Sequence, residues 1–143
     1  MSDEFQIPFH EFKPAKHSKD LILIADGLEL IDNVAGLFRL ADAMGVKRIS
    51  FTSPSDTFSP SRLKKISRSC SSWIPVDWDI SLEDVLQNLS DDYLILALEY
   101  TNQSIPVQQL QLRDQTKIAL ILGSEVCGIS KYSLDAADQS IHV

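Results

Sequence analysis

The stretch LILIADGLELIDNVAGLFRLADAMGVKRISFTS, residues 21–53, decides the fold. It opens on an apolar run, LILIAD (21–26), which lacks the polar alternation of a half-exposed strand and fits one buried on both faces. DNVAGLFRLADAMG (32–45) then changes period. At about 100° per residue, Val34, Leu37, Phe38, Leu40, Ala41 and Met44 share one broad helical face. Asp32 or Asn33 is placed to cap that helix, and Gly45 to stop it. RISFTS (48–53) is the next strand.

The same alternation continues outward. SPSRLKKISR begins a second helix, with Ser59 as N-cap and Pro60 at the first helical position. WIPVDW (73–78) reads as a short strand or extended link, and LEDVLQNL as a third helix with Ser81 and Asp84 in a loose capping arrangement. YLILALE (93–99) and KIALILG (117–123) are strands, separated by a loop, QSIPVQQLQLRDQ, with at most one helical turn. A short helix near 130–137 leads to SIHV, a strand fragment at the end of the chain. Helical crossovers between apolar strands imply an α/β fold, a mainly parallel sheet flanked by helices.

With 143 residues, 44% of them hydrophobic, the chain holds one domain with a true core. The division expected is a lead-in over 1–20 and the domain over 21–143. Cys70 and Cys127 lie far apart without metal-ligand spacing, so reduced thiols and a cytoplasmic location are expected. The start, MSDEFQIPFHEFKP, is acidic and broken by Pro8 and Pro14, unlike a signal peptide. No apolar run reaches the roughly 18 residues of a membrane span, so no membrane partner is expected. A net charge of -7 argues against indiscriminate nucleic-acid binding by the whole surface. A local basic patch exists nonetheless: from Thr57 to Val76 there is no acid, while Arg62, Lys64, Lys65 and Arg68 are all cations.

In a parallel sheet the ligand crevice lies beyond the carboxyl ends of the strands. The candidates are therefore Asp26, Thr52, Glu99 to Thr101, Gly123 to Gly128 and whatever follows Val143. GSEVCG (123–128) lacks the Gly-Lys-Ser/Thr of a phosphate loop and the spacing of a dinucleotide fingerprint. Its glycines permit a tight bend or a close approach to a bound group, and a plain strand-exit turn is the alternative. Gly36 inside a helix costs about 1 kcal/mol relative to alanine. With Ala35 and Ala43 it leaves the side bearing Arg39 low, so that one guanidinium can receive a phosphate or carboxylate. The alternative is packing against a neighbour with Arg39 paired to Asp42 or Glu29. Asn33 either caps backbone groups or meets substrate, and Glu125 either bonds a ligand or holds its own loop. His10 and His17 read as solvent-facing, and His142 as non-catalytic near the crevice. Trp73, Trp78 and Tyr100 are core aromatics or base-stacking platforms.

DNVAGLFRLADAMGV, YLILALEYT and KIALILGSEVCGIS together resemble the SpoU-like (TrmH-like) branch of the SPOUT RNA methyltransferases, over about residues 20 to 143. The first family motif is matched by Asn33, Ala35 with Gly36 in inverted order, Arg39, Ala41, Asp42, Ala43 and Gly45. The second is matched by Gly123, Glu125 and Gly128, about 80 residues on. The third, a proline-methionine-glycine turn and a Ser-Leu-Asn helix start, is absent after Val143, and a truncated sequence is the expectation.

The resemblance implies a trefoil-knot fold, incomplete in this chain, and a homodimer when complete. It also implies methyl transfer from S-adenosylmethionine to a ribose 2'-hydroxyl of tRNA or rRNA, with no metal. It places the cofactor at Leu98, Glu99, Tyr100, Gly123, Gly128 and Val143, and assigns Arg39, Asn33 and Glu125 to catalysis. Arg39 would face the RNA together with the basic helix of Arg62, Lys64, Lys65 and Arg68. An inactive RNA-binding or dimerisation module of the same fold, and an unrelated ligand-binding α/β domain, are the competing readings.

Overall fold

The computed structural model describes residues 20–70, 74–113 and 116–143. Seven strands form one sheet: β1 (Leu21–Asp26), β2 (Arg48–Phe51), β3 (Val76–Asp77), β4 (Tyr93–Leu98), β5 (Ile105–Pro106), β6 (Lys117–Gly123) and β7 (Gln139–His142). Their order across the sheet is β3-β2-β1-β6-β4-β7-β5, and every strand pair is parallel. The chain runs outward from β1 through β2 to β3, then crosses back, and β6 enters between β1 and β4. That reversal opens the crevice at the carboxyl ends of β1, β6 and β4, where Asp26 lies in register with Gly123.

Among the described residues four helices cover the faces: α1 (Ile31–Met44), α2 (Pro60–Cys70), α3 (Leu82–Asn88) and α4 (Lys131–Ala136). Because side chains alternate along a strand, β1 feeds two cores. Leu23 and Ala25 join Val34, Leu37, Phe38 and Ala41 of α1 and Ile66 of α2. Ile22 and Ile24 join Ala97, Ala119, Ile121 and Val85 of α3, with Leu134 of α4 against them. Two-sided burial is the physical reason why β1 and β6 read as continuous apolar runs.

Several local expectations are met by the expected groups. Gly45 ends α1 with φ 65°, and the Ser81 hydroxyl accepts the Asp84 N–H at 3.0 Å ahead of α3. Other expectations are corrected. The cap of α1 is Leu30, with no side-chain cap bond, so neither Asp32 nor Asn33 caps it. Among the described residues of the stretch 73–78, only Val76–Asp77 is a strand, held against β2. The stretch after Thr101 has the one helical turn expected of it, a 3₁₀ turn over Val107–Gln109, but also contains the unexpected strand β5. Trp78 stacks on Phe51 with ring centroids 4.1 Å apart and an angle of 11°, which commits it to the core. His10, His17, Trp73 and the lead-in residues 1–19 lie outside the described residues, as do the side chains of Arg68 and Cys70.

Leu40 and Met44 complete the periodic stripe of α1 yet are 54% and 48% exposed, because the sheet-facing side ends at Ala41. A Cβ built on Gly36 would meet nothing within 4 Å, so nothing inside the described chain requires a glycine there. Gly36→Ala should therefore stabilise the chain against urea by about 0.5–1 kcal/mol through helix propensity. A loss of stability in that measurement would show a packing constraint at Gly36 that this structure lacks.

Candidate active site

The site is built from strand ends and one loop. Gly123 closes β6, and Ser124 and Gly128 pair back to back, N–H to carbonyl, at 3.0 Å in both directions. A Cβ on Gly123 would lie 2.2 Å from the Gly128 carbonyl carbon, and Gly128 itself has φ 67°. The two glycines are thus required by the loop's own closure, which is the strand-exit turn weighed above in an unusually tight form.

Carboxylates at the ends of both neighbouring strands hold the downstream side of this loop. Glu99, just past β4, accepts the Ile129 N–H at 3.1 Å on one oxygen and the Tyr100 N–H at 3.0 Å on the other. Asp26, at the end of β1, accepts the Ser130 hydroxyl at 2.7 Å and the Ser133 hydroxyl at 2.6 Å. Ser133 is fully buried and Ser130 is the N-cap of α4, so Asp26 ties the first turn of α4 to the neighbouring strand. This Asp26–Ser130–Ser133 group was not anticipated, although the Ser-x-x-Ser spacing at a helix start carries its signal.

Glu125 reaches furthest. Its carboxylate accepts the Glu29 N–H at 3.0 Å, the Leu30 N–H at 3.0 Å and the Asn33 side-chain amide at 2.8 Å. It therefore holds the turn that enters α1, rather than its own loop. Asn33 is the third residue of α1, and its amide is turned to Glu125. Burial raises the Glu125 pKa, but the N–H groups of Glu29 and Leu30 and the Asn33 amide outweigh it and hold the carboxyl below the ordinary glutamate range.

The predicted site residues divide into two groups. Asn33 and Glu125 are bonded to each other, while Glu99, Gly123 and Gly128 share the loop base. Tyr100 is 80% and Val143 94% exposed on the same rim, and Leu98 is half-buried in β4. Arg39 stands apart. It is exposed, about 9 Å along α1 from Asn33 and about 120° around it, and has no hydrogen bond or ion pair among the described residues. The pairing with Asp42 or Glu29 is thereby excluded. His142 Nδ1 lies 2.9 Å from the Ser104 hydroxyl, and its ring meets Tyr100 edge-on at 5.0 Å. Arg62, Lys64 and Lys65 are exposed on α2.

A parallel sheet whose strand order reverses beside a glycine-closed loop places its ligand crevice at the carboxyl ends of β1, β6 and β4. The chain matches the SpoU rRNA methylase family over residues 20–143 and belongs to it. It is 24% identical over 131 residues to the tRNA (guanosine(18)-2'-O)-methyltransferase of Escherichia coli K12, covering 89% of this chain and 54% of that protein. Its fold is similar to that of the SpoU methyltransferase AviRb of Streptomyces viridochromogenes, solved with AdoMet: TM-score 0.71, 15% identity, 91% of this chain and 50% of the other. The A. aeolicus TrmH/SpoU tRNA modifying enzyme is similar at TM-score 0.71 and 22% identity, over 88% of this chain and 63% of that one. The chain spans about half the length of the curated relatives it matches.

Glu125→Gln removes the charge from three hydrogen bonds and should cost about 1 kcal/mol at neutral pH, the site being exposed. A carboxyl whose folded-state pKa is lowered contributes stability above its unfolded value and loses it as pH falls through the folded one. The stability gap between wild type and variant, measured by urea titration, should thus be constant above the ordinary glutamate range and close as pH falls through the lowered folded-state value. A gap independent of pH would remove Glu125 from this role.

Proposed function

We propose that the protein transfers a methyl group from S-adenosylmethionine to a ribose 2'-hydroxyl of tRNA or rRNA. The observation that carries this reading is the Asn33–Glu125 contact, which joins the two segments resembling the family motifs across 92 residues of sequence. Family membership over residues 20–143 supports it.

The crevice suits the donor. Asp26, Glu99 and Glu125 bring three carboxylates to adjoining strand ends, and among the described residues none is ion-paired. The Tyr100 ring, exposed beside these strand ends, suits the adenosine of that donor. Leu98, Glu99, Tyr100, Gly123, Gly128 and Val143 would hold it. S-adenosylmethionine supplies, when bound, a methyl group on a positively charged sulfur. The chain's own groups then have to place the ribose hydroxyl in line with that methyl and favour oxyanion character on its oxygen.

Arg39 serves the RNA side. A guanidinium, with five N–H donors and no acceptor, is built to hold a phosphate or stabilise a developing oxyanion rather than to accept a proton. Asn33 and Glu125 order the entry of α1, and so set where Arg39 is presented. Exposed Leu40 and Met44 on α1, beside the open Gly36, support a homodimer formed on this helix. Arg62, Lys64, Lys65 and Arg68 of α2 contact RNA phosphates.

Calorimetry should detect S-adenosylmethionine binding, and Arg39→Ala should lower methyl transfer to unmodified bulk RNA by about 100-fold with cofactor affinity unchanged. No binding at millimolar cofactor would refute the enzyme reading; full activity in the variant would remove Arg39 from it. Replacing Lys64, Lys65 and Arg68 with alanine should weaken RNA binding and flatten its salt dependence, whereas an unaltered salt slope would release α2 from the interface.

A further inference from the structure

The opposite end of the sheet holds a cavity of about 470 Å³ that the proposed chemistry does not use. It exists because α3 covers β1, β6 and β4 but leaves the same face of β2 and β3 open. Ile22, Val85 and Leu89 give it an apolar floor. On the β2–β3 side, Arg48 and the buried Ser50 hydroxyl both donate to one oxygen of Asp77, at 2.9 and 3.1 Å. That acid is thereby neutralised. The nearby Asp92 is likewise engaged, by Lys117 at 2.6 Å and by the Ser90 hydroxyl.

What remains at the lip is rich in donors. Lys47, the Asn88 amide and the Tyr93 hydroxyl line the cavity, and among the described residues none of these three groups has a hydrogen-bond partner. An apolar floor with an unpaired ammonium on one side and an amide on the other matches a molecule with a flat ring, a hydrogen-bonding edge and an anion. The volume falls within the roughly 300–1,000 Å³ of ordinary small-molecule sites. We propose that this cavity is a second site, remote from the crevice, that binds a nucleoside monophosphate. The base lies on Ile22, Val85 and Leu89 with its edge toward Asn88, and the phosphate meets Lys47 and the outer face of Arg48. The proposal does not depend on the methyltransferase reading.

The test is an NMR titration of the full chain with each of the four ribonucleoside monophosphates, with inorganic phosphate and the free nucleosides as controls. Expected are shifts confined to residues around Lys47, Asn88 and Tyr93, with a Kd of about 1 mM or tighter. Lys47→Glu should weaken binding at least about 10-fold and Asn88→Leu several-fold, with near-UV spectra unchanged. Saturating S-adenosylhomocysteine should displace nothing. An oligoribonucleotide with a 5'-phosphate that competes, where its 5'-hydroxyl counterpart does not, assigns the site to RNA ends; failure of both to compete assigns it to free nucleotide. The proposal is overturned by absence of shifts up to about 10 mM nucleotide. It is equally overturned by inorganic phosphate binding as tightly as the nucleotides, by displacement with S-adenosylhomocysteine, or by unchanged affinity in Lys47→Glu.

Discussion

A single carboxylate joins the two halves of the candidate site. Helix α1 begins at Ile31 behind Leu30, a residue with no side-chain oxygen to offer the donors that every helix start leaves open. Glu125 supplies that oxygen from the far side of the sequence, bonding two main-chain N–H groups before the helix and the Asn33 amide inside it. Negative charge near a helix start is also favoured by the helix dipole. The β6–α4 loop and the entry to α1 consequently cannot shift independently without breaking charge-assisted hydrogen bonds.

The remaining contacts of the loop follow the same logic. Asp26 and Glu99 stand at the ends of the strands that flank β6 and spend their charge on the loop's downstream side, at Ser130, Ser133 and Ile129. Tight closure between Gly123 and Gly128 leaves Glu125 projecting from the turn, free to reach α1. Strand order sets all this up. Only because β6 inserts between β1 and β4 do two acids distant in sequence, Asp26 and Glu99, flank the loop that carries Glu125. The base of the crevice is tied by these hydrogen bonds, while Tyr100 at its rim is exposed.

What was legible in the sequence was whatever depends on neighbours along the chain. Burial on two faces writes itself into LILIAD and KIALILG as unbroken apolar runs, and Ser59 and Ser81 cap their helices within three residues. The start of α1 was misjudged because Asp32 and Asn33 look like caps, whereas the true partner is 92 residues away from Asn33. Likewise β5 has two residues, too few to show a period, and exists only through its pairing with β7. Trp78 was ambiguous until Phe51 and Phe58 closed around it. The motif residues Asn33, Glu125, Gly123 and Gly128 were visible as a pattern. Their reasons, a carboxylate clamp and a self-packed turn, were not.

The most direct measurement is a double-mutant cycle on Asn33→Ala and Glu125→Ala, read as unfolding free energy in urea. If the clamp unites the loop and α1 as described, the two substitutions are coupled by about 1 kcal/mol, the double variant losing less than the sum of the singles. Additivity within about 0.3 kcal/mol would mean that the two groups act independently and would contradict the account.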